Sequence, residues 1–227
     1  MRRLLFLALA LFSALSHSQN QGLVPAIGAL RLGDYVQAIE ALRPLAEKGD
    51  AEAQFYLALA YESAQPPAQD IQAAREWYSR SAATGHPAAL NNLGAMYYDG
   101  RGVDKDPAKA FELYRAAAEQ HYPEALYNVA LMYGRGVGAP RDDREMARWL
   151  ALAADSGVPG AQAQLGLSYL RGIGVRRDLV AAHDWLLRAA NAGHKGAMEQ
   201  LATIYELGLG VPSNEAKAKA WRERAAQ

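Results

Sequence analysis

From Ala53 onward, the hydrophobic and polar positions of the chain form a pattern that recurs every 36 residues. The first half of each period carries apolar residues at i, i+4 and i+8, which lie on one face of a helix. A column denotes the residues at the same place in successive repeats, and the three apolar columns are Ala53, Ala89, Ala125, Ala161 and Ala197; Leu57, Leu93, Val129, Leu165 and Leu201; and Tyr61, Tyr97, Tyr133, Tyr169 and Tyr205. A neighbouring column of small residues, which includes Gly94 and Gly166, predicts a close approach of the next helix. A period of this length predicts an all-helical solenoid of repeated helix pairs.

The second half of each period predicts another amphipathic helix, with core positions at i, i+3, i+7 and i+8. In the first complete repeat these positions are Ala74, Trp77, Ser81 and Ala82. All tryptophans of the chain stand in the second of these columns, which Leu113 completes: Trp77, Trp149, Trp185 and Trp221. The pattern therefore predicts a tryptophan column that is buried between successive helices.

Short signals mark the ends of the helices. Each second helix is preceded by a residue whose short side chain carries an oxygen that can accept hydrogen bonds from the first turn of the helix. These residues are Asp34, Asp70, Asp106, Asp142, Asp178 and Asn214. Such a series could suggest calcium binding or catalysis, but its spacing of one per repeat favours helix caps. Most first helices end in a loop such as Gly100-Arg101-Gly102-Val103, where glycine adopts positive φ angles. Residues 64–67 lack these glycines, so we expect that loop to follow a different path.

The N-terminal segment differs from the repeats. Arg2 and Arg3 precede an apolar run at 4–12, and small or polar residues follow up to Ser18, which is typical of a cleaved secretory signal peptide. The run is shorter than the roughly 20 apolar residues that cross a bilayer, so we expect a periplasmic or secreted product without an integral membrane segment. The predicted organisation is a signal peptide at 1–18, N-terminal capping helices at 19–50, and five repeats at 51–86, 87–122, 123–158, 159–194 and 195–227.

Composition narrows the possible functions. The 227 residues include 24 Lys plus Arg, 24 Asp plus Glu and no cysteine, which excludes disulfide and thiolate chemistry. The balanced charge does not suggest capture of nucleic acid, although charge can still be clustered locally. His86, His121, His183 and His194 lack metal-ligand spacing, and His86 and His194 are expected to be exposed turn residues. No nucleophile elbow is present, and we predict no catalytic residue, no metal and no cofactor.

The clearest copy of the repeat runs from Asn92-Leu93-Gly94-Ala95-Met96-Tyr97 to Ala117-Ala118. Its pattern of Ala-x-x-x-Leu-Gly-x-x-Tyr, Gly-x-Gly-Val, Asp, Ala-x-x-Trp and paired alanines resembles the Sel-1-like repeat, a relative of the tetratricopeptide repeat. The resemblance covers nearly the whole chain after the N-terminal segment. It implies an α/α right-handed superhelix whose first helices line a concave groove. In that family the groove commonly holds a protein partner, and many bacterial members are periplasmic or secreted adaptors.

The resemblance therefore favours a non-enzymatic scaffold of the bacterial envelope that binds a protein or peptide in its groove. The tetratricopeptide analogy and the variable first-helix positions select the groove residues Asn91, Tyr98, Tyr127, Arg135, Arg171 and Glu199. We expect Tyr98 and Tyr127 to be aromatic anchors that lie outside the packing columns. The same positions could instead form an ordinary solvated face, with binding at the glycine-rich loop edge. The alternative function is a cell-wall-related or β-lactam-binding hydrolase, but the family branch linked to that activity has cysteine-paired repeats, which this chain lacks.

Overall fold

A computed structural model describes residues 22–227, and all regular secondary structure in that part of the chain is helical. Helix α1 covers 22–31. The other helices are α2 (Tyr35–Glu47), α3 (Ala51–Ser63), α4 (Ile71–Ala83), α5 (Pro87–Asp99), α6 (Pro107–Ala118), α7 (Pro123–Arg135), α8 (Asp143–Asp155), α9 (Pro159–Arg171), α10 (Leu179–Asn191), α11 (Lys195–Leu207) and α12 (Glu215–Ala226). The predicted signal peptide lies outside the described residues. Among helices α1–α12, none is both long and apolar enough to cross a membrane.

The helices form two compact units, which divide between Lys105 and Asp106. The described part of the first unit contains α1–α5, and the second unit contains α6–α12. Within each unit, helices that are consecutive in sequence pack against one another. The prediction of an all-helical array of helix pairs with a period of about 36 residues is confirmed.

The predicted caps hold the start of each second helix. Asp70 Oδ1 accepts a hydrogen bond from the Ala73 backbone N–H at 2.9 Å, and Asn214 Oδ1 accepts one from the Lys217 N–H at 2.9 Å. The other four predicted cap residues, Asp34, Asp106, Asp142 and Asp178, make equivalent bonds. Helix capping, rather than calcium binding or catalysis, therefore explains this column.

The two glycines of each loop have different tasks. Gly100 ends α5 in the left-handed conformation, and its N–H donates to the Met96 carbonyl. Gly102 also has a positive φ, but a Cβ atom there would lie 2.9 Å from Ile71 Cγ2 at the start of α4. The second glycine thus lets a loop contact the second helix of the preceding repeat. The loop after α3 takes a different path, as predicted, because extended Ala64 replaces the left-handed glycine.

Burial of the second helices corrects the prediction for the tryptophan column. Trp149 is 7% exposed, whereas Trp77, Trp185 and Trp221 are only half-buried. The following residue reaches deepest into the core: Tyr78 and Leu186 are completely buried. A helix turns by about 100° per residue, so a small rotation decides which of two adjacent residues faces inward.

Arginine side chains cover the tryptophan rings. The guanidinium Cζ of Arg80 lies 4.5 Å from the Trp77 ring centroid, and Arg188 has the same distance to Trp185. Such cation–π contacts let a half-exposed tryptophan keep one face covered while the charge stays in water.

The first helices bury their alanine and leucine columns as predicted. The column of small residues also has its predicted effect, because a Cβ atom on Gly166 would lie only 2.7 Å from Leu186 Cγ. The tyrosine column is more exposed than expected: Tyr97, Tyr133 and Tyr169 are half-buried, while the preceding residue, such as Met96, is buried.

His86 and His194 are half-buried helix caps, which corrects the expectation of exposed turn residues. His86 Nδ1 accepts from the Ala89 backbone N–H at 3.3 Å, and the His86 ring stacks on Phe55 with 5.1 Å between centroids. Burial lowers the pKa of His86, which favours the neutral ring that can accept at Nδ1.

Candidate functional site

In the second unit, helices α7 and α9 present the same outward-facing set of side chains. An amide, a leucine and an arginine stand at i, i+3 and i+7, and so share one face of each helix. We name these residues the amide–Leu–Arg stripe: Asn128, Leu131 and Arg135 on α7, and Gln164, Leu167 and Arg171 on α9. The amide and leucine side chains are half-buried and both arginines are exposed, because the alanine, leucine and valine columns occupy the opposite, buried face.

A cleft of about 160 Å³ adjoins the stripe on α9. Its lining combines apolar and polar groups: Gly134, Arg141, Asp143, Met146, Gln164, Leu167, Ser168, Arg171 and Ile173. Gly134 brings α7 close to α8, since a Cβ atom there would lie 2.6 Å from Met146 Sδ. Apolar side chains beside an amide and a guanidinium can hold an apolar group of a ligand together with a hydrogen-bond acceptor.

A second, open depression lies at the loop between α9 and α10. It is lined by Tyr169, Val175, Arg176, Arg177 and Asp178. Arg177 Nε donates to the Leu170 carbonyl at 3.1 Å, which partly satisfies the end of α9. Asp178 caps α10 by accepting from the Val180 and Ala181 N–H groups, each at 3.0 Å.

The predicted groove residues of the second unit have different environments. Arg135 and Arg171 belong to the stripe, and Arg171 also lines the cleft. Glu199 is exposed on α11 and lines a separate depression with Thr203, Arg222, Ala225 and Ala226.

Tyr127 is half-buried and contributes to packing. A Cβ atom on Gly160 of α9 would lie 3.1 Å from Tyr127 Oη. Burial raises the pKa of Tyr127, and the nearby positive charge of Arg135 opposes that rise. The sequence suggested that Tyr127 lies outside the packing contacts, but its side chain packs against α9.

The predicted groove residues of the first unit also make contacts within the protein. Asn91 is only 9% exposed, and its Nδ2 donates to Asn92 Oδ1 at 3.2 Å. Tyr98 is half-buried, with Lys105 Nζ 5.8 Å from its ring centroid. Asn91 thus offers little surface to a partner, whereas Tyr98 keeps part of its ring accessible.

A polar cluster around the buried Tyr78, near the C-terminal end of α3, was not predicted from the columns. Tyr78 Oη donates to Glu62 Oε2 at 2.7 Å and accepts from Asn92 Nδ2 at 3.0 Å, while Arg101 forms an ion pair with Glu62. Burial and the negative charge of Glu62 raise the pKa of Tyr78. The available signal is a polar hydroxyl in a core column, which holds Tyr78 and Tyr114 and then Leu150 and Leu186.

The arrangement that most resembles a catalytic relay in the second unit is structural. His183 Nδ1 lies 3.0 Å from Asp184 Oδ1, and His183 Nε2 lies 3.0 Å from Tyr205 Oη. The last group of this hydrogen-bonded series is the phenol of Tyr205, which is only 8% exposed. The series therefore connects α10 to α11 without presenting an accessible nucleophile. Within residues 22–227, no group of three or more His, Cys, Asp or Glu side chains is placed to hold a metal ion.

Sequence reasoning missed Gln164 and Leu167, although both line the cleft. The signal was available in the variable columns, because Asn128 and Leu131 precede Arg135 at the same spacing. The tetratricopeptide analogy selected other columns of the same helices instead.

Comparison with known proteins identifies relatives of the repeats. The family model described as Sel1 repeat matches residues 51–86, 87–122, 123–158, 159–194 and 196–227. A Sel1 repeat protein from Oxalobacter formigenes is 28% identical, with a TM-score of 0.80 over 90% of this chain and 84% of that protein. A protective antigen of uropathogenic Escherichia coli that displays this repeat fold is 30% identical, with a TM-score of 0.85. That match covers 94% of this chain but only 47% of the antigen.

A third relative is an immunity protein from Pseudomonas aeruginosa, which is 28% identical with a TM-score of 0.52. The match covers 78% of this chain and 64% of the immunity protein. No protein with a curated description matches the sequence.

Proposed function

The chain belongs to the Sel1 repeat family, and we propose that it acts as a non-enzymatic scaffold that binds a protein or peptide partner. The names of two relatives, an immunity protein and a protective antigen, are consistent with a role in recognition rather than in turnover of a substrate. Fold alone does not assign function, so the proposal depends on a surface that is suited to binding.

The observation that carries the proposal is the amide–Leu–Arg stripe, which α7 and α9 repeat beside a partly apolar cleft. Half-buried leucines next to arginine and amide groups offer apolar contact area together with hydrogen-bond donors, and arginine is enriched at protein interfaces. Neither leucine stands in the fully buried alanine, leucine and valine columns of these helices. We therefore assign the partner site to this face of the second unit, which includes the predicted residues Arg135 and Arg171.

We further propose that the scaffold works in the bacterial envelope or outside the cell. This proposal rests on the two arginines, the short apolar run and the small residues of the N-terminal segment. Mass spectrometry of the exported protein should find a new N-terminus near Ser18. Recovery of intact Met1 in a membrane-embedded product would contradict export as a free protein.

The binding site can be tested with a partner recovered from the envelope fraction of the source organism. In the doubly substituted variant Leu131→Ser/Leu167→Ser, we expect the binding free energy to weaken by at least about 2 kcal/mol, because two apolar side chains no longer become buried against the partner. Isothermal titration calorimetry measures this change. These leucines are better probes than Tyr98 and Tyr127, because Tyr127 contributes to packing.

The matched control is Val180→Ser, which changes an apolar side chain that is 57% exposed on α10 of the same unit. The control should bind the partner as the parent does, and circular dichroism should show folded helices in both variants. If the partner binds the double leucine variant as tightly as the parent, the site lies elsewhere.

A further inference from the structure

The C-terminal ends of α7 and α9, with the loops that follow them, hold a local excess of positive charge in a protein with balanced overall charge. Their arginines are Arg135, Arg141, Arg171, Arg176 and Arg177. The acidic residues beside them are already engaged: Asp142 and Asp178 cap helices, and Asp143 forms an ion pair with Arg141 at 3.0 Å.

Arg171 and Arg176 are the arginines most available to a ligand. Both are exposed, and among residues 22–227 neither forms an ion pair. Arg171 lines the cleft beside the stripe on α9, and Arg176 lines the open depression at the following loop. Two exposed guanidinium groups therefore line recessed surfaces near the end of α9.

The fold itself does not require these two charges. The loop after α11 has the same backbone, with Gly208 at φ 66° and ψ 40° against φ 73° and ψ 36° for Gly172. The second glycines also agree, with φ of 74° at Gly210 and 70° at Gly174. In that loop the columns of Arg171 and Arg176 hold Leu207 and Pro212.

The lining of the two surfaces favours a protein segment over a polyanion. Met146, Leu167 and Ile173 offer apolar contact next to Arg171, which suits a side chain rather than a phosphate backbone. Asp143 and Asp178 also line these surfaces, so the net positive charge is small and favours a segment with few negative charges over a polyanion. A carboxylate of such a segment can pair with a guanidinium in a bidentate geometry.

We propose that this basic surface, formed by Arg171, Arg176 and the adjacent cleft, binds an acidic segment of the partner, with an apolar side chain of that segment in the cleft. The inference rests on the proposed function and specifies the partner's chemistry. One carboxylate pairs with Arg171 and another with Arg176, while the apolar side chain contacts Met146, Leu167 and Ile173.

The experiment selects peptides from a phage-displayed library of random dodecapeptides on the full chain and measures their affinities by fluorescence polarisation. The enriched peptides should contain Asp or Glu next to an apolar residue. The variant Arg171→Leu/Arg176→Pro should bind them about ten-fold or more weakly, because it loses two charge-assisted contacts. Raising NaCl from about 50 to about 300 mM should weaken binding to the parent more than to this variant.

The control variant is Lys109→Gln/Arg115→Gln, which removes two positive charges from α6 in the same unit and should bind the peptides as the parent does. A second variant, Arg171→Asp/Arg176→Asp, should bind the peptides even more weakly. An earlier repeat already has aspartate in both columns, at Asp99 and Asp104, so the fold accepts this residue there. Thermal melting of each variant verifies that it is folded.

Three outcomes would overturn the inference. Enriched peptides that are neutral or basic, or that bind both Arg171/Arg176 variants as tightly as the parent, would contradict an acidic partner. They would leave the proposed scaffold function in place. Arginine-dependent binding of a single-stranded oligonucleotide or of phosphatidylglycerol vesicles, without binding of acidic peptides, would replace the proposed partner with a polyanion. Failure to enrich any peptide on the parent would contradict the proposed function as well.

Discussion

Tyr78 in the first unit and Leu186 in the second occupy the same column, and both are completely buried, yet different interactions stabilise them. The hydroxyl of Tyr78 is hydrogen-bonded to Glu62 and Asn92. Leu186 instead packs against the backbone of Gly166, with no room for a Cβ atom between them.

This difference shows that one repeat architecture accepts two kinds of core contact. A polar contact depends on complete hydrogen bonding and on protonation state, because an unpaired polar group in the interior is costly. An apolar contact depends on shape, because a void or an overlap is costly. Tyr78 should therefore be more sensitive to pH, and Leu186 to changes of side-chain volume.

The largest expected effect concerns the neighbouring tryptophan column, where Trp149 and Trp77 differ in burial. Trp149→Ala should lower the free energy of unfolding by about 3–5 kcal/mol, the usual range for a large buried aromatic. Trp149 is buried, and its Nε1 donates to Glu145 at 3.1 Å, whereas Trp77 is half-exposed. Trp77→Ala should therefore cost roughly half as much. Urea unfolding of both variants measures the difference, and equal losses would contradict it.

An intermediate effect is expected from Tyr78→Phe, which removes one hydroxyl and leaves Glu62 and Asn92 without that partner. We expect a loss of about 1–3 kcal/mol in the free energy of unfolding. The matched substitution in the second unit, Leu186→Met, conserves volume and should cost less than about 1.5 kcal/mol. Tyr78→Phe that unfolds with the same free energy as the parent would show that the polar cluster adds no stability.

The same variant tests the pH dependence. Because the folded-state pKa of Tyr78 is raised, its contribution is fully present below the unfolded-state value of about 10 and is lost as the pH rises towards the folded-state pKa. The stability gap between the parent and the variant should therefore narrow above pH ~10, by about 1.4 kcal/mol per pH unit. A constant gap between pH 9 and pH 11 would argue against a protonated, hydrogen-bonded Tyr78.

The smallest expected effect is at a turn of the second unit. His121 has φ of 60°, whereas the same column in other repeats holds glycines with positive φ, including Gly85 and Gly157. His121→Gly should raise the free energy of unfolding by about 0.5–1 kcal/mol, because glycine relieves the steric cost of this conformation. Gly157→Ala should do the reverse, and chemical denaturation measures both. A destabilised His121→Gly variant would indicate that His121 makes a compensating contact.

Much of the fold could be predicted because its signals are local. Asp70 and Asn214 accept hydrogen bonds within three residues, and Gly100 ends a helix through its own φ angle. Local signals of this kind do not depend on neighbouring repeats. The candidate site was less predictable, since the burial of Asn91 and the cleft beside Gln164 depend on how adjacent helices pack.

The sequence by itself determined the period, the helix pairs, the caps and the family, because these follow from residue identity at fixed spacing. Only the tertiary structure decided that Tyr78 lies deeper than Trp77, and that Arg171 and Arg176 stay exposed at recessed surfaces. The physical reason is that the rotation of a helix about its axis is set by contacts with its neighbours. A shift of one residue, about 100°, exchanges a buried side chain for an exposed one.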